Sequence, residues 1–428
     1  MKIAIATLGC KVNQSESASI EGILRGQGHE IVPMANDHFD ACIINTCTVT
    51  AKSDYRSRQL IRRAVRSGVK VIVTGCYAQL HHDELSKING INLILGNSQK
   101  NNLHEYLGKL SQDYYTPAHV IGTPDTPLTL KPYFSNRSRA FLKIQDGCNF
   151  SCTYCAVPMA RGKSRSLRPV DVLSAVEKLC ADDYREIVLT GVHIGCYGSE
   201  LTPKSSLVEI VDKIVKKHSF IRLRLSSIEP QEFKNEFLSL IIKSKSVCPH
   251  LHIPLQSGSD KILKAMNRGY SASFFKELIN KIISTSPDIS IGTDIIAGFP
   301  GESDKNFEDT KNLLEELPLS YIHVFPYSKR KNTLAAKMPG QISNETKRKR
   351  LKILLEISKI KKNSYITRHL NKTLDVIVET KSPINGYYKG TSDNYLKVLI
   401  EANSLNHGQR MRVRTISYNN EGLISKPL

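Results

Sequence analysis

The chain has 428 residues, enough for about three domains, and 40% of them are hydrophobic, which supplies buried cores and excludes a disordered chain. Sixty Lys and Arg against forty Asp and Glu leave a net charge of +20, which points to a polyanionic partner, nucleic acid ahead of a merely solvated basic surface. The apolar run at Met1–Leu8 is too short for a signal-peptide core and no segment reaches the ~18 apolar residues of a membrane span, so a cytoplasmic location with no membrane partner is expected, where ten cysteines signal metal binding or catalysis before disulfides.

The first hundred residues alternate apolar strands, at 3–8, 41–46, 69–74 and 92–95, with helical periods at 16–27, 53–66 and 102–110. This βαβ alternation predicts a doubly wound parallel sheet. Cys10, Cys47 and Cys76 each close one strand. Ligands in such sheets bind beyond the carboxyl ends of the strands, so these three thiols, distant in sequence, are expected to meet on one edge. Cysteine is also a common buried residue, as Cys42 illustrates, but three at matching topological positions favour a ligand set. Asn13 and Gln14 could donate hydrogen bonds to it.

Residues 113–135 are turn-rich, with Pro117, Gly122, Pro124, Pro127 and Pro132, and read as a linker. Six βα units follow, with strands near 140–145, 186–190, 221–226, 250–254, 290–297 and 320–325, and helices near 170–181, 206–217, 232–243, 259–284, 304–316 and 343–363. Consecutive right-handed crossovers curl into a partial barrel whose active site lies at the strand C-termini.

The first of those strands runs into Asp146-Gly147-Cys148-Asn149-Phe150-Ser151-Cys152-Thr153-Tyr154-Cys155. Three thiolates at C-x₃-C-x₂-C spacing can converge on one inorganic centre and leave one iron of a four-iron cluster open. A zinc knuckle would recruit a fourth Cys or His nearby, and none follows. Later strand ends carry Gly191, then Ser226, Ser227 and Glu229, then Gln256 and Gly298, suited to a small polar cofactor. His193, His250, His252 and His323 read as packing or hydrogen-bonding residues. Arg161 and Arg165 after the cysteine loop, and Lys329 and Arg330 after the sixth strand, are expected to hold phosphates; the arginines at 56, 58, 62, 63 and 66 fit a solvated helix face at least as well.

A long basic helix ends near His369, and strands near 373–379, 387–391, 395–400 and 411–417 predict a small antiparallel β-barrel. Tyr387, Tyr388 and Tyr395 beside Arg410, Arg412 and Arg414 give it an aromatic and basic surface of the kind that binds nucleic acid.

With both cysteine triplets in place, the chain resembles the radical S-adenosylmethionine (SAM) methylthiotransferases over essentially its full length. Gly9-Cys10-Lys11-Val12-Asn13-Gln14, Asn45-Thr46-Cys47-Thr48-Val49-Thr50, Gly75-Cys76-Tyr77-Ala78-Gln79 and Phe325-Pro326-Tyr327-Ser328-Lys329-Arg330 resemble the branch acting on N6-threonylcarbamoyladenosine at position 37 of tRNA. The resemblance implies a methylthiotransferase N-terminal domain at 1–112, a radical SAM (βα)₆ domain at 136–366 and a TRAM RNA-binding domain at 367–428. It implies one 4Fe–4S cluster on Cys148, Cys152 and Cys155 that binds SAM, and another on Cys10, Cys47 and Cys76. The first would cleave SAM to a 5′-deoxyadenosyl radical that takes hydrogen from adenine C2; the second would hold the sulfur that is methylated and delivered. Partners would be tRNA at its anticodon loop, an electron-donor protein and a sulfur source. Lys331-Asn332, where relatives commonly turn on a glycine, and the extra Cys196 depart from the pattern. The isopentenyladenosine and ribosomal-protein branches, and a non-enzymatic iron–sulfur RNA-binding protein, are the alternatives.

Overall fold

The computed structural model describes all residues except 36–37, 111–117, 124–127 and 129–136. Most of the expected linker therefore lies outside the described residues.

Six parallel strands, β1 (Lys2–Thr7), β2 (Glu30–Val32), β3 (Ala41–Thr46), β4 (Lys70–Gly75), β5 (Leu93–Leu95) and β6 (Ala118–Val120), form one sheet in the order β2-β1-β3-β4-β5-β6. Every residue of β3 is buried, as an apolar run flanked by helices on both faces requires. One face packs against Ile61 and Ala64 of the helix Ala51–Arg66, the other against Ile20 and Leu24 of Lys11–Gly26. The expected doubly wound sheet is present. Its two outer strands, β2 and β6, are three residues each, too short to show a period, and β6 lies inside the stretch read as linker.

The second unit begins with β7 (Ala140–Lys143) and a two-stranded ribbon of β8 (Gln145–Asp146) and β9 (Arg165–Ser166). Strands β10 (Glu186–Thr190), β11 (Arg222–Leu225), β12 (His250–His252), β13 (Ser290–Ala297) and β14 (Tyr321–Pro326) join β7 in two parallel arcs, β7-β10-β11 and β12-β13-β14. A Leu223–Val247 bridge links the arcs into a partial barrel. Alternation along each strand sends Ile187, Leu189, Leu223, Leu225, Leu251, Ile291 and Ile295 outward into the helix-packed core. The alternate positions, Glu186, Arg222, Arg224, His250, His252, Asp294, Tyr321 and His323, therefore share the inner face. A polar lumen departs from the apolar interior usual in parallel sheets, and it marks the inside of this barrel as a place for chemistry.

Strands β15 (Thr373–Lys381), β16 (Tyr387–Ser392), β17 (Lys397–Glu401), β18 (Arg410–Tyr418) and β19 (Leu423–Pro427) close a five-stranded barrel, β15-β16-β17-β19-β18. It is mixed rather than antiparallel, because β19 runs antiparallel to β18 but parallel to β17, closing the gap between them. Only four strands are legible in sequence, since β19 offers just Leu423 and Ser425 as buried alternate positions.

The units are seated on one another. Arg222 donates to the main-chain oxygens of Asp375 (2.6 Å) and Thr391 (3.2 Å), and Arg224 to those of Asp393 (2.9 Å) and Ser392 (3.0 Å), so the C-terminal barrel forms the floor of the lumen. The N-terminal sheet covers the opposite side, where Ala51 N–H donates to Ser328 Oγ (3.0 Å) and Arg330 pairs with Asp54.

Candidate active site

Cys148, Cys152 and Cys155 lie on the loop leaving β8. Gly147 has φ +75°, and a side chain there would overlap the Lys163 carbonyl, so only glycine starts this loop. The loop is clamped from outside: Thr153 donates to Met266 O (3.1 Å) and Ala265 O (2.9 Å), and its own carbonyl accepts from Ala335 N–H (2.8 Å). Each sulfur has a donor. Phe150 N–H points at Cys148 Sγ and Val157 N–H at Cys155 Sγ, both at 3.4 Å, and an Arg268 guanidinium nitrogen lies 3.4 Å from Cys152 Sγ. Burial pushes the Cys155 thiol up to about 12, so this residue becomes a thiolate only with a cation against it. Cys152 and Cys148, on the same loop, also act on the Cys155 thiol. A set of converging soft donors with N–H groups aimed at the sulfurs fits an iron–sulfur cluster.

Around that loop the expected cofactor residues fall into two groups. Gly191 packs against Gln145 and Ile194, and Glu229 is ion-paired to Arg268; Gln145 and Arg268 tie both to the cysteine loop, while Ser226 Oγ is buried without a partner among the described residues. Burial raises the Glu229 carboxyl despite that arginine. Ser227 is exposed. Gln256 (φ +68°) and Gly298 (φ +75°) serve backbone geometry: Gln256 extends the pairing with β13 through bonds to Asp294 O (2.8 Å) and from Ile296 N–H (2.9 Å), and Gly298 N–H donates to Glu302.

Two residues here, Arg268 and Gln145, escape sequence reading, and a third, His193, is the packing and hydrogen-bonding residue expected, with partners that sequence does not name. Arg268 joins Cys152 to Glu229. Gln145 donates to the Gly147 carbonyl (2.8 Å) and accepts from His193 N–H (2.8 Å), tying the cysteine loop to the Gly191 turn. His193 lies 3.8 Å from Cys148 Sγ through Nδ1 and 2.5 Å from Glu232 through Nε2, with its ring against Phe150. Burial disfavours its charged form, yet Cys148, Cys196 and Glu232 together raise it to about 12. A histidine in the sequence carries no sign of such neighbours; only the glycine before Val192 hints at a special turn.

Cys10, Cys47 and Cys76 stand just beyond β1, β3 and β4, which are adjacent in the sheet, so parallel pairing alone brings their chain positions together. Cys76 acts on the Cys10 thiol, and Cys76 and Cys10 act on that of Cys47. Gly9 has φ +107°, and a Cβ would sit 2.9 Å from Cys47 Sγ. Cys10 caps the helix Lys11–Gly26, whose positive end therefore faces the thiols. Asn13 serves Cys10 through its backbone N–H, while its side-chain amide donates to Leu8 O (2.7 Å) and Thr46 O (3.0 Å), fixing the strand ends. Burial pushes Cys47 up to about 11. Converging thiols with a glycine-lined approach fit a second cluster. Cys42, by contrast, packs in the sheet's core.

Arg161 joins the two sites. It is 2% exposed and bonds Asn13 Oδ1 (2.6 Å), Glu16 Oε1 (2.8 Å) and Asp146 Oδ1 (2.9 Å), so it spans the N-terminal helix and the cysteine loop. Glu16 also holds Lys100 (2.6 Å) and Lys143 (3.0 Å). Burial opposes both carboxylates, but Arg161 first and Lys143 with it hold Asp146 down to about 2 and Glu16 well below its usual range.

That placement corrects the expectation of phosphate contact for Arg161. Arg330 is buried likewise against Asp54 and the Thr48 carbonyl (3.3 Å), and Arg410 is paired with Asp375 (2.6 Å). Arg165 lies within 3.8 Å of Asp146. Lys329 and Arg412 are exposed.

The lumen inside the partial barrel reaches Lys11, the residue after Cys10, through Tyr395. Its wall carries an aromatic ladder in which Tyr395 stacks on His250 (4.3 Å), Tyr321 lies against His252 (5.8 Å), and His323 adjoins Phe325 (6.4 Å). His323 and Phe325 are exposed, offering a flat surface to a base. Lys11, beside Cys10, lies 5.5 Å from the Tyr395 ring, and Arg224 lies 5.1 Å from it. Burial, with Arg224 and Arg139, lowers the Lys11 ammonium to about 8. Burial, Arg224 and Lys11 hold His250 neutral, well below the usual histidine range.

Comparison with known proteins follows the same division. The Radical SAM superfamily matches residues 142–314, and Uncharacterized protein family UPF0004 matches residues 2–96. The chain is 35% identical to the threonylcarbamoyladenosine tRNA methylthiotransferase MtaB of Bacillus subtilis, over 97% of this chain and 93% of that protein. Against the MtaB of Thermotoga maritima the identity is 35%, with coverage of 99% and 96%. A tRNA-2-methylthio-N(6)-dimethylallyladenosine synthase of Clostridium botulinum is 30% identical over 96% of this chain and 88% of its own length. Among solved structures, the radical S-adenosylmethionine methyltransferase TsrM of Kitasatospora setae superposes with a TM-score of 0.57 at 12% identity, over 78% of this chain and 77% of that one, a likeness of fold alone.

Proposed function

The chain belongs to the radical S-adenosylmethionine methylthiotransferases, and on that premise we propose that it transfers a methylthio group to C2 of N6-threonylcarbamoyladenosine at position 37 of tRNA. Membership makes it an enzyme that uses SAM and a 4Fe–4S cluster. Cys148, Cys152 and Cys155 would hold that cluster, and Cys10, Cys47 and Cys76 a second, auxiliary one. Together they would supply one-electron cleavage of SAM and a seat for the transferred sulfur.

The observation that supports the reading is the pair of cysteine triplets joined through Arg161, which bonds Asn13 on the helix that follows Cys10 and Asp146 just before the cysteine loop. An unactivated aromatic C–H has no acidic proton, so the protein's work is to orient the base and exclude water. Glu229, Ser226 and the Gly191 turn are suited to hold SAM against the cysteine loop. His323 and Phe325 offer the splayed adenine a stacking surface, and the lumen, floored by the C-terminal barrel, shields the radical. Lys329 and Arg412 remain as exposed phosphate contacts. An external electron donor and a sulfur source complete the cycle.

Nucleoside mass spectrometry of tRNA from a deletion strain tests this. The expected result is loss of 2-methylthio-N6-threonylcarbamoyladenosine. Loss of the methylthio group from isopentenyladenosine instead would move the chain to the other tRNA branch.

A further inference from the structure

The charges around the lumen floor do not balance. Apart from Asp294, which is taken up by His252 (3.0 Å) and His323 (3.3 Å), five cations, Lys11, Arg139, Arg222, Arg224 and Arg410, face four carboxylates, Glu186, Asp375, Glu379 and Asp393. Arg222 and Arg224 converge on Glu186, Arg139 takes Glu379 (2.8 Å), and Arg410 takes Asp375. Lys11 makes no ion pair or hydrogen bond among the described residues; its ammonium has only the Tyr395 ring beside it.

Two further polar atoms in the same cluster lack partners. Arg139 Nε is buried and unbonded, and so is His250 Nδ1. The opposite nitrogen, His250 Nε2, is 2.8 Å from Tyr321 Oη, which also lies 3.1 Å from His252 Nδ1; when the hydroxyl donates its hydrogen bond to His250 Nε2, the ring hydrogen of the neutral imidazole sits on His250 Nδ1. Buried donors without acceptors are uncommon in native proteins, and here they accompany an excess of one positive charge. Tyr395, whose ring lies between Lys11, Arg224 and His250, adopts φ +70°, a conformation costly for a tyrosine and concentrated at functional sites.

From this cluster we propose that Lys11, backed by Arg139 and His250, is the seat for the substrate's threonyl carboxylate and the determinant by which the enzyme distinguishes threonylcarbamoyladenosine from uncharged N6-substituted adenosines. This rests on the activity proposed above. One unmatched positive charge suits a monovalent carboxylate better than a dianionic phosphate. Lys11 directly follows Cys10, so an anion held there would set the base beside the auxiliary thiols, where C2 has to be.

The test compares two synthetic anticodon stem–loops, one with N6-threonylcarbamoyladenosine and one with its threoninamide, which keeps the shape and loses the charge. Wild-type enzyme is expected to favour the carboxylate loop in kcat/KM by on the order of tenfold to hundredfold, the range for a hydrogen bond to a charged group. Lys11→Met should bring the ratio close to one, and Lys11→Arg should restore part of it, which a merely structural lysine would not do. His250→Phe keeps the stacking and removes the donor; it should lower the ratio severalfold, and it carries the comparison if Lys11→Met does not fold. A wild-type enzyme indifferent to the amide, or a Lys11→Met variant with the wild-type ratio, overturns the proposal while the activity reading survives. A wild-type enzyme that thiolates an isopentenyladenosine loop and neither of these overturns both.

Discussion

The two cysteine triplets are built in opposite ways. Cys148, Cys152 and Cys155 come from eight consecutive residues, and their spacing alone brings the sulfurs together. Cys10, Cys47 and Cys76 come from three strands, and only the β1-β3-β4 pairing makes them neighbours. A local ligand set survives distortion of distant parts of the fold, whereas a dispersed one exists only while the sheet does. The triplet proposed to start the radical is thus contiguous in the chain, though its loop is clamped by Ala265, Met266 and Ala335, and the one proposed to handle sulfur depends on the N-terminal sheet.

Cysteine substitutions should break the comparison most completely. Cys152→Ala is expected to abolish both 5′-deoxyadenosine formation and methylthiolation, while Cys76→Ala should leave deoxyadenosine formation largely in place and stop methylthiolation. Chromatography of the nucleoside products reads both, and methylthiolation by Cys76→Ala would end the two-cluster scheme.

A smaller effect is expected at the residue common to both sites. Arg161→Met leaves Glu16 and Asp146 short of a buried partner and should lower stability by about 3 kcal/mol, read from urea unfolding by circular dichroism. The pH dependence has a definite sign. Asp146 titrates at about 2 when folded and near 4 when unfolded, so its contribution is complete above about pH 4 and fades as the pH falls toward 2. The difference between wild type and Arg161→Met in the cluster-free chain should narrow over that window. A constant difference down to pH 2 would mean that Asp146 is not the carboxylate Arg161 serves.

The smallest effects belong to the exposed cations, which neither triplet needs. Lys329→Ala and Arg412→Ala should each weaken tRNA binding a few-fold, uniformly across sequences, and reduce the salt slope by about one. Filter binding at several salt concentrations checks this; an unchanged slope removes that residue from the RNA face.

How much of this could be read without coordinates follows from the same contrast. The loop triplet was legible because spacing is local. The strand-end triplet was legible because βα periodicity locates strand ends even when their order is unknown. What stayed hidden was pairing across long separations: Arg161 reads as a free cation until Glu16, far upstream, is seen against it. Arg268 gave no signal because its partners, Cys152 and Glu229, belong to two other loops. The polar lumen was present as alternation, Arg222-Leu223-Arg224-Leu225 and His250-Leu251-His252, but sequence does not say which face turns inward. Strands β6 and β19 were too short to carry a period.

The seat of the C-terminal barrel has a consequence for how such enzymes diverge. Arg222 reaches the Asp375 carboxylate (3.4 Å), but four of the bonds from Arg222 and Arg224 into that barrel end on main-chain oxygens of Asp375, Thr391, Ser392 and Asp393. Backbone acceptors persist whatever side chains those positions carry. The outward surface of the barrel is therefore free to drift toward new RNA partners over evolutionary time while its docking to the catalytic chamber stays the same.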